Sequence, residues 1–202
     1  MSDPAYLRKL KQYARTQFGN SDMAEEIVKS LTSESDRGAF ILAATSIEDT
    51  LEFALAKKMP VLATDNAARN ELFGGQGTIS AYSDKTLLAY ALGIIDGRAR
   101  KDIDLVRHIR NACAHSRLPL TMNTEALVEA VKAALGEQTL SALANHEPAT
   151  LRIMFIVHCA ELASYVATGR RRLPLEAFRD ELRQQWEDEA KAAAEREPSQ
   201  NK

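Results

Sequence analysis

The sequence predicts an all-α fold, a single-domain bundle of six to eight helices, and three observations carry that prediction. Only nine glycines and six prolines punctuate 202 residues, while alanine, leucine, glutamate and arginine are abundant, a mixture that favours helix. Apolar residues recur at helical spacing in one segment after another. No stretch of useful length alternates apolar and polar residues as a half-buried strand would.

Taken in order, residues 4–17 start behind Asp3-Pro4 and read as a helix with a basic face, and Met23 to Leu31 as a second, short one. Ser35-Asp36-Arg37-Gly38 opens a long helix that runs to about Lys58, where Pro60 stops it. Phe40, Ala44, Ile47, Leu51, Ala54 and Leu55 form its main apolar face, while Ile41, Leu42 and Phe53 lie elsewhere around it. A helix apolar nearly all round is expected to be central. A short helix from Asn66 to Phe73 leads into the loop GGQGTISAYS. Ser83-Asp84 then cap a helix over about Lys85 to Ile95, and Asp96-Gly97 precede another from about Arg98 to His115. Thr124 caps a helix to about Leu135 that Gly136 breaks, with a weaker segment continuing to Ala144. Pro148 starts a strongly apolar helix ending at Thr168, with Gly169 as its C-cap. Leu173-Pro174 begin a last amphipathic helix whose stripe is Leu175, Phe178, Leu182 and Trp186. The organisation expected is an N-terminal helical segment over 1–32, a core over 33–172, and a C-terminal amphipathic helix with a frayed tail over 173–202.

Composition bounds the function. A charge of −2, with 45% apolar and 27% charged residues, is ordinary for a globular protein and leaves no global basic field for nucleic acid. Cys113 and Cys159 each lie in apolar helical stretches and read as free, buried thiols. Residues 1–20 carry charge every few positions and lack the apolar run of a signal peptide. The most apolar stretch, Ile153 to Ala160, falls short of the roughly 20 residues that span a bilayer. The expected setting is cytoplasmic, with no membrane.

The stretch Arg110-Asn111-Ala112-Cys113-Ala114-His115-Ser116 is the leading functional candidate. Wound as a helix, Asp104, Arg107, His108, Asn111 and His115 share a polar arc. Ile103, Leu105, Val106, Ile109, Ala112 and Cys113 fill the other side. Arg110 falls at the edge of the apolar arc, a costly place for a guanidinium without a partner. Two accounts fit it: a structural arginine paired with a carboxylate such as Glu48, or phosphate chemistry, with arginine neutralising an oxygen while His115 moves a proton. Arg110 and His115 stand about 140° apart on the wheel, so joint action requires a long reach or a second copy in a two-fold dimer.

Asp36, Arg37, Glu48 and Asp49 form a supporting constellation. Asp36 reads as the helix N-cap and the others as ion pairs fixing the central helix on the motif helix, or as groups tuning Arg110 and His115. The glycine loop at 74–78 lacks the Gly-Lys-Ser/Thr ending of a phosphate cradle and follows no strand, so a tight turn explains it better. Lys85 downstream is a candidate groove residue. Arg170, Arg171 and Arg172, extended by Arg179 and Arg183, are candidate backbone contacts for nucleic acid, although complementing a helix dipole accounts for the triplet. His158 and Glu161 lie three apart on the most apolar helix. With no Glu-x-x-His anywhere, His158 reads as a hydrogen-bonded core histidine, and neither metal nor cofactor is expected.

Arg110-Asn111-x-x-x-His115 resembles the R-(N/D/H)-x-x-x-H pattern of the HEPN superfamily, helical proteins that include metal-independent ribonucleases. More narrowly, the chain resembles the mannitol operon repressor (MltR) family over about residues 33–116. The features shared are Ser35-Asp36-Arg37-Gly38, Leu72-Phe73-Gly74, Leu88-Ala89-Tyr90-Ala91-Leu92-Gly93, and Ile109-Arg110-Asn111 with Ala114-His115. The narrower resemblance implies a transcriptional regulator. The sequence shows no helix-turn-helix and no basic recognition helix, so regulation would run through a protein partner, with the chain a homodimer. The broader one implies an endoribonuclease of toxin or phage-defence type acting on RNA through Arg110 and His115, with Asn111 as a polar aide. Whether the chain is an enzyme stays open between them.

Overall fold

The computed structural model describes residues 30–31, 33–143 and 145–169, all within one compact unit. The expected helices at 4–17 and from Pro174, the Arg170-Arg171-Arg172 triplet, Arg179 and Arg183 lie outside them, and so does nearly all of the expected helix from Met23. Six α-helices and a 3₁₀ turn make up the described residues, with no strand. They are α1 (Asp36–Lys58), the 3₁₀ turn Pro60–Ala63, α2 (Asn66–Phe73), α3 (Tyr82–Ala91), α4 (Gly97–His115), α5 (Glu125–Ser141) and α6 (Pro148–Thr168). The all-α bundle read from the sequence is the fold observed.

α1 is the central helix. It packs on α6, α4 and α3, and its Phe40, Ala44, Ile47, Leu51 and Leu55 are fully enclosed. Leu42 and Phe53, placed by the sequence off the main face, are 48% and 43% exposed. The Phe40 and Phe155 rings meet at 4.7 Å in the α1–α6 seam, a tilted contact within the favourable range for aromatic pairs. α6 is 21 residues long and, by length and composition alone, apolar enough to cross a membrane. In the bundle it is a core helix, with Leu151, Phe155, Ile156, Cys159 and Val166 buried.

The ends of these helices refine the sequence reading. Ser35, not Asp36, caps α1, accepting a hydrogen bond from the Gly38 amide; Asp36 is thereby released for longer-range work. α3 begins at Tyr82 behind Ala81, with no side-chain cap, instead of after Ser83-Asp84. The apolar drive to bury Tyr82, Thr86 and Ala89 on one face sets that start. Gly136 does interrupt α5, at φ 73° and ψ 162°, a conformation open to glycine. Gly169, at φ 67°, closes α6 as expected.

The loop after α2 folds back on the helix it follows. The Gly77 amide reaches Gly74 O at 2.6 Å and the Ile79 amide reaches Leu72 O at 2.9 Å. A Cβ on Gly77 would lie 2.4 Å from Leu72 O, and one on Gly74 would lie 2.3 Å from Asn70 O. Both glycines therefore serve close backbone approach, and the tight-turn account is the one the geometry supports.

Candidate functional site

α4 carries the leading candidates. Asp96 caps it by accepting from the Ala99 amide at 2.8 Å, and Ala99, Ile103, Val106, Ile109 and Cys113 form its buried line. Leu105 is only half-buried and Ala112 is exposed, so the apolar arc is narrower than the sequence wheel drew it. His115 is the last residue of the helix and is exposed.

The carboxyl end of α4 is pinned to the start of α1. Arg37 donates through Nη2 to Ala114 O at 2.9 Å, satisfying a carbonyl that the helix end leaves free. Asp36 joins two further pieces, pairing with Arg152 Nε at 2.9 Å and accepting from the Met122 amide at 2.8 Å. Arg152 also donates to Leu31 O at 3.0 Å and Glu34 O at 2.6 Å. Asp36 and Arg37 thus hold α1, α6, the end of α4 and the loop after it in one clamp.

Arg110 does not pair with Glu48. Its Nη1 donates to the neighbouring Asn111 Oδ1 at 3.1 Å, and its buried Nε has no hydrogen-bond partner. Glu48 belongs to a separate network. Lys85 Nζ lies 3.2 Å from Glu48 and 3.4 Å from Glu52, and Glu52 meets Arg69 at 3.2 Å. Lys85 is 5% exposed, so it ties α3 to α1 and does not line an open groove. The ammonium went inward because two carboxylates one turn apart on α1 face it, a pattern the local sequence around Lys85 gives no hint of. Asp49, on the exposed side of α1, has its carboxyl raised by partial burial first and then by Glu48 and Glu52, against the pull of Lys85. The structure gives it no hydrogen bond to Arg110 or His115.

Tyr82 is the residue that sequence reasoning missed. It is 7% exposed, and its buried hydroxyl has no partner. Burial raises its phenol above the usual range, as do Cys159 and Glu48, while Arg110 and Arg107 pull it down. The groups that act on it stand on α6 (Cys159), α1 (Glu48) and α4 (Arg110 and Arg107), and α3 itself packs on α1 and α4. Its signal was present in the spacing Tyr82, Thr86, Ala89, the buried face of α3.

His158 was expected to be hydrogen-bonded and is not; its Nε2 is buried without a partner. Burial lowers its pKa, Asp102 raises it and Arg98 lowers it. A ring desolvated on an apolar helix, with no acceptor opposite, is the physical reason. Glu161, one turn on, is pushed up to about 7 by burial. No group of three metal-ligating side chains occurs among the described residues. Cys113 and Cys159 are free and buried, and burial raises both thiols, which withholds the thiolate that nucleophilic chemistry needs.

The class of molecule these observations define is a helical bundle carrying an exposed histidine and a partly buried, unpaired arginine on one helix, without an assembled acid–base pair in a single chain. The fold is MtlR-like: it is similar to a chain of the X-ray structure of the MtlR–HPr complex from Escherichia coli, with a TM-score of 0.56 and 17% identity, over 73% of this chain and 99% of that one. No family model and no curated protein matches the sequence.

Proposed function

We propose that this chain is a member of the MltR-like family and a regulatory protein that works by binding another protein, of the kind that HPr is for MtlR. The observation that carries this reading is the likeness of the fold to a chain of the MtlR–HPr complex, over nearly the whole of that chain. Repression or co-repression would follow from that contact and not from a DNA-reading helix; the chain would act as a cytoplasmic homodimer. Isothermal titration of the purified chain with HPr tests it. A saturable complex with a Kd in the micromolar range is expected, and no heat at concentrations of about 100 μM would remove the reading.

A second reading, a HEPN-type metal-independent ribonuclease, is favoured by one observation. Arg110 is only half-buried, and no carboxylate holds its guanidinium among the described residues, which leaves the charge for a phosphate oxygen. Mixed RNA incubated with the chain in EDTA, beside the His115→Ala variant, decides it. Cleavage by the parent alone supports the nuclease, and intact RNA in both lanes rejects it.

A further inference from the structure

α4 is cationic where helix electrostatics disfavour cations. Arg98, Arg100 and Lys101 occupy its opening residues and its first turn holds no acidic side chain, although the amino end is the positive end of a helix dipole. Arg100 is engaged within the fold, 4.9 Å over the Tyr90 ring and 4.0 Å from Asp104. Arg98 and Lys101 are exposed and form no ion pair among the described residues.

From Lys101 an exposed line continues through His108 to His115. Each is seven residues from the last, hence turned by about 20° and displaced by about 10.5 Å along the axis. A second line runs beside it: exposed Arg98, half-buried Leu105 and exposed Ala112. Of the acids flanking this face, Asp104 is taken by Arg107 at 3.3 Å and by Arg100, Asp102 is half-buried, and Asp96 is engaged in capping the helix at the Ala99 amide. Residues seven apart line up on any helix; what distinguishes this face is that it sets two exposed cations beside a half-buried leucine and an exposed alanine in the register by which one helix receives another.

We propose that this outward face of α4 docks an acidic amphipathic helix of a partner protein. Its carboxylates would meet Lys101 and Arg98, and its apolar side chains Leu105 and Ala112. The inference rests on the reading of the chain as a protein-binding regulator, and adds the surface and the partner's chemistry. Charge complementarity selects the partner. The chain is −2 overall, so an acidic segment is repelled in general and drawn to this face in particular. A phosphate backbone would use the cations and leave the apolar line idle, whereas a helix uses both.

The test is fluorescence anisotropy of three labelled probes titrated with the full chain at low salt. Two are helical peptides with the same leucine and alanine positions, one bearing glutamates and the other lysines, and the third is a single-stranded RNA. The glutamate peptide is expected to bind, weakening as salt rises. The Arg98→Glu, Lys101→Glu double variant should bind it at least about tenfold less well and gain affinity for the lysine peptide, a gain that a misfolded chain would not show. Lys58→Glu, an exposed change at the end of α1, should leave binding unaltered. Failure to bind the glutamate peptide, binding of RNA in its place, or equal loss in Lys58→Glu each overturns the proposal. HPr binding retained by a chain that ignores the glutamate peptide overturns the face and leaves the protein-binding function standing. Peptide binding without an HPr complex removes HPr as the partner and upholds the face.

Discussion

Arg110 holds its charge in a half-buried position with no carboxylate against it among the described residues and one nitrogen wholly unpartnered. A desolvated cation of this sort lowers stability, so Arg110→Met should fold as well as the parent or better, by up to ~2 kcal/mol in urea denaturation. A loss of stability would show instead that the arginine is structural. Two titratable groups on α6 should oppose each other in pH. Burial keeps His158 below its ordinary range, so the unfolded chain takes up the proton first and stability falls as pH drops below about 6.5. Glu161, held up to about 7, favours the protonated form when folded. Its contribution is fully present below about 4.5 and is lost as pH rises towards 7. Glu161→Gln should therefore match the parent near pH 4 and exceed it by about 1–2 kcal/mol at pH 8.5, the figure being reduced for partial solvent access. Melting curves across that range for the Gln variant and for His158→Gln check both signs. The sequence marked Arg110 and His158 as residues in need of partners. The structure gives Arg110 only its neighbour Asn111 and gives the His158 Nε2 none, an outcome set by which side chains the distant helices bring alongside.

Helix ends and helix pairings show where local reasoning succeeds and where it stops. The termini of α1, α4 and α6 are written in short-range chemistry: a serine whose hydroxyl accepts at α1, an aspartate doing the same at α4, and proline then glycine bracketing α6. The start of α3 is not, because burial of Tyr82 overrides the cap available at Ser83 or Asp84. The ion-pair constellation was legible as a group but not as a wiring diagram. Glu48 went to Lys85, and Asp36 to Arg152 and to the Met122 amide. Asp36 consequently links elements far apart in the chain, and Asp36→Ala should cost about 2 kcal/mol by taking the carboxylate from Arg152, which keeps its bonds to Leu31 O and Glu34 O, and the acceptor from the Met122 amide. Lys85→Met tests the other network. Two carboxylates would be left facing a shielded contact, and a loss of about 3 kcal/mol is expected in chemical denaturation.

At the scale of the whole molecule, the fold class was readable because every described element is helical and the apolar face of α1 is long and continuous. The face of α4 was harder to read. A wheel ranks residues by angle, yet exposure depends on which neighbours stand alongside, and with α1 and α3 on that helix Leu105 and Ala112 end up on the solvent side. What binds the bundle together is the seam between α1 and α6, two helices apolar enough to be buried from several sides and joined at Phe40 and Phe155. Because α1 also carries α3 and α4, loosening that seam loosens the platform on which Arg110, His115 and the cationic line sit. Phe155→Ala deletes a ring that is 0% exposed and should lower stability by about 3–5 kcal/mol. At a few degrees per kcal/mol for a chain of this size, the midpoint should fall by roughly 10 °C. The transition should stay single, since one core links the described helices; far-ultraviolet circular dichroism and calorimetry should give the same midpoint. Two separate transitions in the described bundle would show that α6 and its partners unfold independently, and that the exposed face of α4 is supported by less of the molecule than the α1–α6 seam implies.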